Sequence, residues 1–409
     1  MGITFFGVIW MVLIFICFFL EIKYLFLLTL ISMTLQCDVI FLINTELGIG
    51  PAIVTSLAFI FKSIIYNARV IIAKDKIKIF FILFMICVTI TTCYMDKSME
   101  KITPFFQIYV YIICFFRMIS IRDSISIKFS SNCVKVIILF ISIVGVLQML
   151  HSSSLVDLSF ILRPLIYNES WDDSIVFNKS YLLFRFYSTF MEPSYCSIFL
   201  VGVFFYLLSI EGRDNRNIGL MIMLGVEIAL TTSATAFGAM FITGALFICS
   251  NTNKKFMKYI VPIVMVIFIL VVCFGWNDIV NQILIKLASG SGRTRRNWNK
   301  AGLNAFFESP LIGMGYKNVR ASSFFITLLG EFGILGTGLF ALSLICVIKE
   351  IFIKDDKFAV ASSWFVVGSV IAMIIACPDL SLAPFWMAMY IYAISHGRMS
   401  INEERIECI

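Results

Sequence analysis

Val134-Lys-Val-Ile-Ile-Leu-Phe-Ile-Ser-Ile-Val-Gly-Val-Leu-Gln-Met-Leu150 carries one charge, Lys135, in an otherwise apolar run. Wound into a helix, such a run is long enough to cross a hydrocarbon core about 30 Å thick. Comparable runs recur at about 3 to 20, 24 to 43, 48 to 66, 77 to 94, 103 to 121, 193 to 210, 217 to 233, 235 to 250, 259 to 275, 322 to 348 and 358 to 377, with a weaker one at 382 to 396. The expectation is an all-α polytopic membrane protein with 12 to 13 transmembrane helices. The chain is 60% hydrophobic and only 14% charged, with a mean hydropathy of +0.97. Soluble domains carry about a quarter charged residues, so a soluble fold lacks the polar surface to cover this much apolar side chain. The runs are solidly apolar and do not alternate at period two, which excludes a β-barrel.

Residues 1–409 therefore read as a single integral membrane domain. Met1-Gly-Ile-Thr-Phe-Phe6 has no basic leader segment and no small-residue cleavage site follows it, so the first helix reads as retained. Twelve scattered cysteines include no Cys-x-x-Cys pair and read as packing residues. The two histidines, His151 and His396, offer little material for a metal site, and neither a metal nor another cofactor is expected.

Lysines and arginines of short loops mark the cytoplasmic side. The segments holding Lys62 to Lys78, Arg122 with Lys128, Arg213 with Arg216, Lys254 to Lys258 and Lys349 to Lys357 alternate consistently. Two long connectors, about 151–192 and 276–321, then fall on the outer side. The second carries Lys286, Arg293, Arg295, Arg296, Lys300, Lys317 and Arg320 against Asp278 and Glu308. Long loops are translocated despite their charge, so the orientation stands. The excess asks for an anionic partner.

Gly290-Ser-Gly-Arg-Thr-Arg-Arg296 reads as a flexible loop whose arginines suit phosphate, since a guanidinium makes paired charge-assisted hydrogen bonds. Contact with lipid head groups is the plainer alternative. Arg185-Phe-Tyr-Ser-Thr-Phe-Met-Glu192-Pro193 stands at a membrane boundary, where ionisable groups are costly and usually functional. An Arg185–Glu192 ion pair anchoring a re-entrant segment explains it equally well. Pro310 with Gly313 and Gly315 reads as a tight turn, and Gly330, Gly333, Gly336 and Gly338 as a close-packing helix face. Glu331 in that run needs a partner, with a loop arginine expected. The hydroxyls of Thr231-Thr-Ser233 read as ligand contacts or as helix caps.

In this order, Arg185-x-x-Ser-x-Phe-x-Glu-Pro193, Leu230-Thr-Thr-Ser-Ala-Thr-Ala-Phe-Gly238, Ser289-Gly-Ser-Gly-Arg293, Trp298, Pro310-Leu-Ile-Gly-Met-Gly315 and Leu329-Gly-Glu-Phe-Gly-Ile-Leu-Gly336 resemble the O-antigen polymerase and ligase superfamily, closest to the Wzy type of repeat-unit polymerase. The match covers about 180–340; the N-terminal half agrees only in hydropathy. The resemblance implies a metal-independent, lipid-dependent GT-C-like glycosyltransferase of lipopolysaccharide or capsule synthesis, in the bacterial inner (cytoplasmic) membrane with its active site facing the periplasm. It implies two long periplasmic loops whose arginines bind pyrophosphate. Implied partners are undecaprenyl-pyrophosphate-linked oligosaccharide, membrane lipids and, in some members, a chain-length regulator, with no nucleic acid. No histidine stands in the stretch after Arg320, which favours polymerase over ligase; a lipid-linked oligosaccharide flippase is the alternative from another class. On this resemblance Arg185 and Arg293 are the expected catalytic arginines, Arg295 or Arg296 being substitutes for the second, and Glu192 is the first choice of base. Arg295, Arg296, Arg320, Glu331 and Asp172 are expected to line the substrate.

Overall fold

The computed structural model describes residues 2–43, 48–67, 75–95, 102–153, 155–167, 185–210, 215–250, 290–353 and 356–396. The run at 259 to 275 and Asp172 lie outside them. The described part is dominated by fourteen helices, as expected of an all-α membrane protein. They are α1 (Phe5–Phe19), α2 (Ile22–Ser32), α3 (Pro51–Tyr66), α4 (Lys76–Met95), α5 (Ile102–Ser120), α6 (Ile127–Ser152), α7 (Ser159–Leu165), α8 (Pro193–Ile210), α9 (Asn215–Leu230), α10 (Ala234–Ser250), α11 (Gly290–Glu308), α12 (Phe324–Ile353), α13 (Lys357–Ala376) and α14 (Ala383–Ser395). Five of them, α4, α6, α8, α12 and α13, are long and apolar enough to cross a membrane. Six more apolar helices are shorter. Beyond the helices, β1 (Gly2–Ile3), β2 (Phe41–Leu42) and β3 (Gly48–Ile49) form a small antiparallel ribbon, Gly2 facing Leu42 and Phe41 facing Ile49.

Helix starts follow local chemistry. Thr4 accepts the Gly7 amide at 2.9 Å and Asp356 accepts the Phe358 amide at 2.9 Å, each satisfying a donor the first turn leaves open. Pro51 and Pro384 sit in first turns, where a missing N–H costs nothing. The weak apolar run at 382 to 396 becomes α14, buried along its whole length with Trp386, Tyr390 and Tyr392 sealed in the core. Around it stand α5, α6, α8 and α13.

Helix ends at one face of the bundle are closed by cations from neighbouring elements. Lys62 of α3 donates to the Cys17 carbonyl at 2.8 Å and to that of Leu20, at the end of α1. Arg117 of α5 donates to the Ser63 hydroxyl at 2.9 Å and to the Ser63 and Asn67 carbonyls ending α3. Arg122 donates to the His396 carbonyl after α14. Cations there also suit the negative pole of each helix dipole.

Here the chain ends of α4, α12 and α14 gather a charged cluster. His396 lies 3.4 Å from Asp75 through Nε2 and 3.2 Å from Glu350 through Nδ1. Burial alone lowers the His396 pKa, but the hydrogen bonds and charges of Asp75 and Glu350 outweigh it and hold the imidazole above its ordinary value. Burial likewise raises the Asp75 carboxyl, yet His396, Lys78 and the Ile77 amide leave it below the usual carboxylate range.

α12 is broken at Gly333, which has φ +61°. Beyond the break, the Ile334 amide donates to Pro310 O at 2.8 Å and Leu335 to Leu311 O at 3.2 Å. Before it, Gly330 O and Glu331 O accept the Met314 and Gly315 amides, both at 2.9 Å. The chain at 310–315 thus takes over the bonds that the helix gives up. Gly313 and Gly315, at φ +74° and +88°, make the expected turn. Of the four glycines read as a packing face, Gly330 does pack closely, against the Gly302 carbonyl and Val319. Gly333 serves the break instead, and Gly338 faces open space. The stretch from Gly290 to Arg296 corrects the expectation of a flexible loop: it makes the first two turns of α11, a polar helix docked on α12.

Two predictions follow from this framework. An added Cβ at Gly333 would lie 2.4 Å from Leu311 O in a left-handed backbone, so Gly333→Ala is expected to cost about 2–4 kcal/mol in detergent unfolding, whereas Gly338→Ala leaves stability unchanged or slightly raised. The His396 contribution is complete below the ordinary imidazole pKa of about 6.5 and disappears as pH climbs through the raised value. That of Asp75 is present above about 3.9 and lost as pH falls through the depressed value. Unfolding midpoints should therefore peak between these limits, and His396→Ala should flatten the alkaline arm while costing about 1.5–3 kcal/mol.

Candidate functional site

The opposite end of the bundle collects most of the residues singled out by sequence. The segment from Arg185 to Glu192 enters the protein: Phe186, Ser188, Thr189 and Phe190 are all buried. Its backbone groups are met from several elements, as burial requires. Gln148 of α6 accepts the Ser188 amide at 3.0 Å, and the Ser188 hydroxyl donates to Ile141 O at 2.7 Å. Thr189 donates to Thr34 O at 2.7 Å, and Gln36 accepts the Met191 amide at 3.4 Å. Neutral hydrogen bonds therefore anchor this segment. Glu192 takes the Ser194 hydroxyl at 3.0 Å, and no Arg185–Glu192 ion pair is present among the described residues.

Arg185 stands exposed at the entry. Its Nε donates to Thr231 O at 3.2 Å and to the Thr232 hydroxyl at 3.1 Å. The hydroxyls of 231–233 divide their work: Thr231 caps its own helix through Ile228 O at 2.7 Å, while Thr232, at φ +46°, orients Arg185. One turn below Thr231 lies Glu227, a buried acid passed over by the sequence reading, facing Ser142 and Cys196.

The helical form of α11 separates the three clustered arginines. Arg295 is half-buried on the face of Trp298, Asn299 and Gly302, which packs on α12 and the 319–323 segment; Arg293 and Arg296 are exposed on the other face. Asn299 Oδ1 accepts the Ser322 and Ser323 amides at 2.8 and 3.1 Å. The Arg320 guanidinium lies 4.2 Å over the Trp298 ring, a cation–π contact that holds an exposed cation in place. Ser323 then ties this unit to α13 through Ile374 O at 2.6 Å.

Glu331 is buried and accepts the Lys317 amide at 2.8 Å. A backbone N–H is thus one partner of the acid that the sequence marked as needing one, and Lys317 itself lies at φ +59°. Its ammonium pairs with Asp379, which also accepts the Ser381 amide at 2.9 Å and hydroxyl at 2.8 Å. Burial raises the Asp379 carboxyl, but Lys317 and Ser381 more than offset it and hold it below the usual range, so it stays ionised.

A hydrogen bond joins two of these elements: the Cys377 thiol, two residues before Asp379, donates to Ser194 O at 3.3 Å, and Ser194 is the residue whose hydroxyl Glu192 accepts. Tyr195 of α8 feels the charges of Glu192, Asp379 and Arg320. The structure thus joins the Glu192 segment, through Ser194 and Cys377, to the turn that holds Asp379 and its partner Lys317. Glu331 holds the Lys317 amide, and the unit of Arg295, Trp298 and Arg320 is tied to α13 through Ser323. Arg185 stands at the start of the buried segment that ends in Glu192. Neither Asp379 nor Tyr195 was expected; an acid next to Pro378 in a turn between two apolar helices was the available signal.

Among the described residues Glu192 accepts the Ser194 hydroxyl, Arg320 is held on Trp298, and Lys317 is paired with Asp379. No protein-family model and no curated protein matches the chain.

If Glu331 serves as an acceptor for the turn, Glu331→Ala should cost about 1–3 kcal/mol by stranding the Lys317 amide. Glu331→Gln keeps an acceptor oxygen and should retain most of that stability. Unfolding of both variants in the same detergent checks the difference.

Proposed function

We propose that the chain is a membrane glycosyltransferase that polymerises polyprenyl-pyrophosphate-linked oligosaccharide repeat units, in the manner of Wzy-type polymerases. The observation that carries the proposal is the joining of Glu192, through Ser194 and Cys377, to the turn of Lys317 and Asp379, with Arg320 held on Trp298 of α11, at the end of the bundle away from the basic helix caps. A pyrophosphate at a membrane surface needs fixed cations, and the order of motifs between Arg185 and Gly336 agrees with this chemistry. On this proposal the helices make 12 to 13 spans, the caps face the cytoplasm of a bacterial inner membrane, and the site faces the periplasm.

In the reaction, a hydroxyl of the acceptor glycan attacks the anomeric carbon of the donor. The bond from that carbon to the pyrophosphate oxygen breaks, and the pyrophosphate leaves with the electron pair. Arg185 and Arg295 neutralise the two lipid pyrophosphates, with Arg320 and Lys317 adding to the field; stabilisation of the leaving group is the main catalytic contribution. Glu192 takes the proton of the attacking hydroxyl. Arg295, half-buried on the packed face of α11, is taken over the outward-facing Arg293 and Arg296 for the second anion contact.

The test uses membranes supplied with lipid-linked repeat units. Arg185→Ala and Arg295→Ala are expected to lower chain extension by about a hundredfold or more at unchanged protein level, while Arg293→Ala retains it. Normal polymer from both Arg185→Ala and Arg295→Ala overturns the assignment. Loss of transbilayer movement of the lipid-linked unit, with extension intact, would point to the flippase.

A further inference from the structure

The outward face of α11 carries charged and apolar residues that the proposed reaction does not use. At 3.6 residues per turn, Arg293, Arg296, Lys300, Leu303 and Phe307 fall within an arc of about 80°, opposite Arg295, Trp298 and Gly302. All five are exposed, Phe307 at 72%. The stripe is ordered along the axis: three cations come first, then two large apolar groups, with about 10 Å from Arg293 to Lys300 and as much again to Phe307. None of the three cations takes part in an ion pair among the described residues.

The apolar half continues beyond the helix. Leu311 is exposed and bonded through its carbonyl to Leu335 of α12. Ile334 and Leu335 are exposed too, and on an apolar helix of a membrane protein such a surface faces lipid. Leu303, Phe307 and Leu311 therefore prolong the exposed apolar side of the bundle, and Arg293, Arg296 and Lys300 follow on the same face of α11, away from Leu311.

We propose that the outward face of α11 seats on the bilayer surface, with Leu303 and Phe307 at the acyl boundary and Arg293, Arg296 and Lys300 on the phosphates of anionic phospholipids. The inward face keeps Arg295 for the site. An interfacial helix of this kind combines apolar burial with attraction to anionic head groups. Seating fixes the tilt of α11, and through Asn299 and the Trp298–Arg320 stack it fixes the cations of the site relative to the membrane plane.

The test needs no enzymatic turnover, so it can fail while the polymerase assignment stands, and the reverse. The whole protein, carrying the photo-crosslinking residue benzoylphenylalanine at Phe307, Arg293 or Arg295 in turn, is placed in nanodiscs of phosphatidylcholine with or without phosphatidylglycerol. Adducts are read by mass spectrometry. Phospholipid adducts are expected at Phe307 and Arg293 and not at Arg295. Each cation near a charged surface is worth roughly fivefold, so the triple change Arg293→Gln, Arg296→Gln and Lys300→Gln should cut the preference for phosphatidylglycerol adducts at Phe307 by about tenfold or more. No lipid adduct at Phe307, equal yields from both lipids, or enrichment of polyprenyl pyrophosphate over phospholipid in native membranes would overturn the proposal.

Discussion

A broken helix in apolar surroundings must have its freed backbone groups met by protein, because lipid offers neither donor nor acceptor. α12 breaks at Gly333, and the segment 310–315 supplies the four missing partnerships. Much of the candidate site rests on that exchange. It fixes the turn that carries Lys317, brings Lys317 to Asp379 and leaves Glu331 to hold the turn's amide. A continuous α12 would have no use for the 310–315 segment at all.

The same economy governs the arginines. A guanidinium on the packed face of a helix, as Arg295 is on the face of Trp298, Asn299 and Gly302, is partly enclosed by protein. One pointing outward can only meet whatever surrounds the protein. α11 does both with one stretch of sequence, since residues two apart on a helix face nearly opposite directions.

The helical, apolar character of the fold was legible because apolar runs mark helices, but not their lengths. The run at 24 to 43 forms only α2, Ile22–Ser32, before the chain turns into β2, and five helices are long and apolar enough to cross a membrane. The end of the bundle closed by Lys62, Arg117 and Arg122 is the end that the charge bias marked. α11 was less legible: its glycines and charges look like a loop, and only docking on α12 makes a helix of them. In the site, Arg185 and Glu192 stood out as boundary charges, whereas Asp379 matters through a partner 62 residues away, which no local pattern reports. Glu331 was correctly marked as needing a partner, but a backbone amide carries no side-chain signature.

The basic helix caps bear on how the chain is assembled. Carbonyls at the end of α1 are met by Lys62 of α3, and those at the end of α3 by Arg117 of α5. In a protein that emerges from its N-terminus, each helix end waits for a later helix to seal it. α14 is the reverse case, for Arg122 is already in place when the last helix arrives. The caps thus form a sequence of joints closed one after another during synthesis, and the buried final helix drops into a seat whose lock was made some 270 residues earlier.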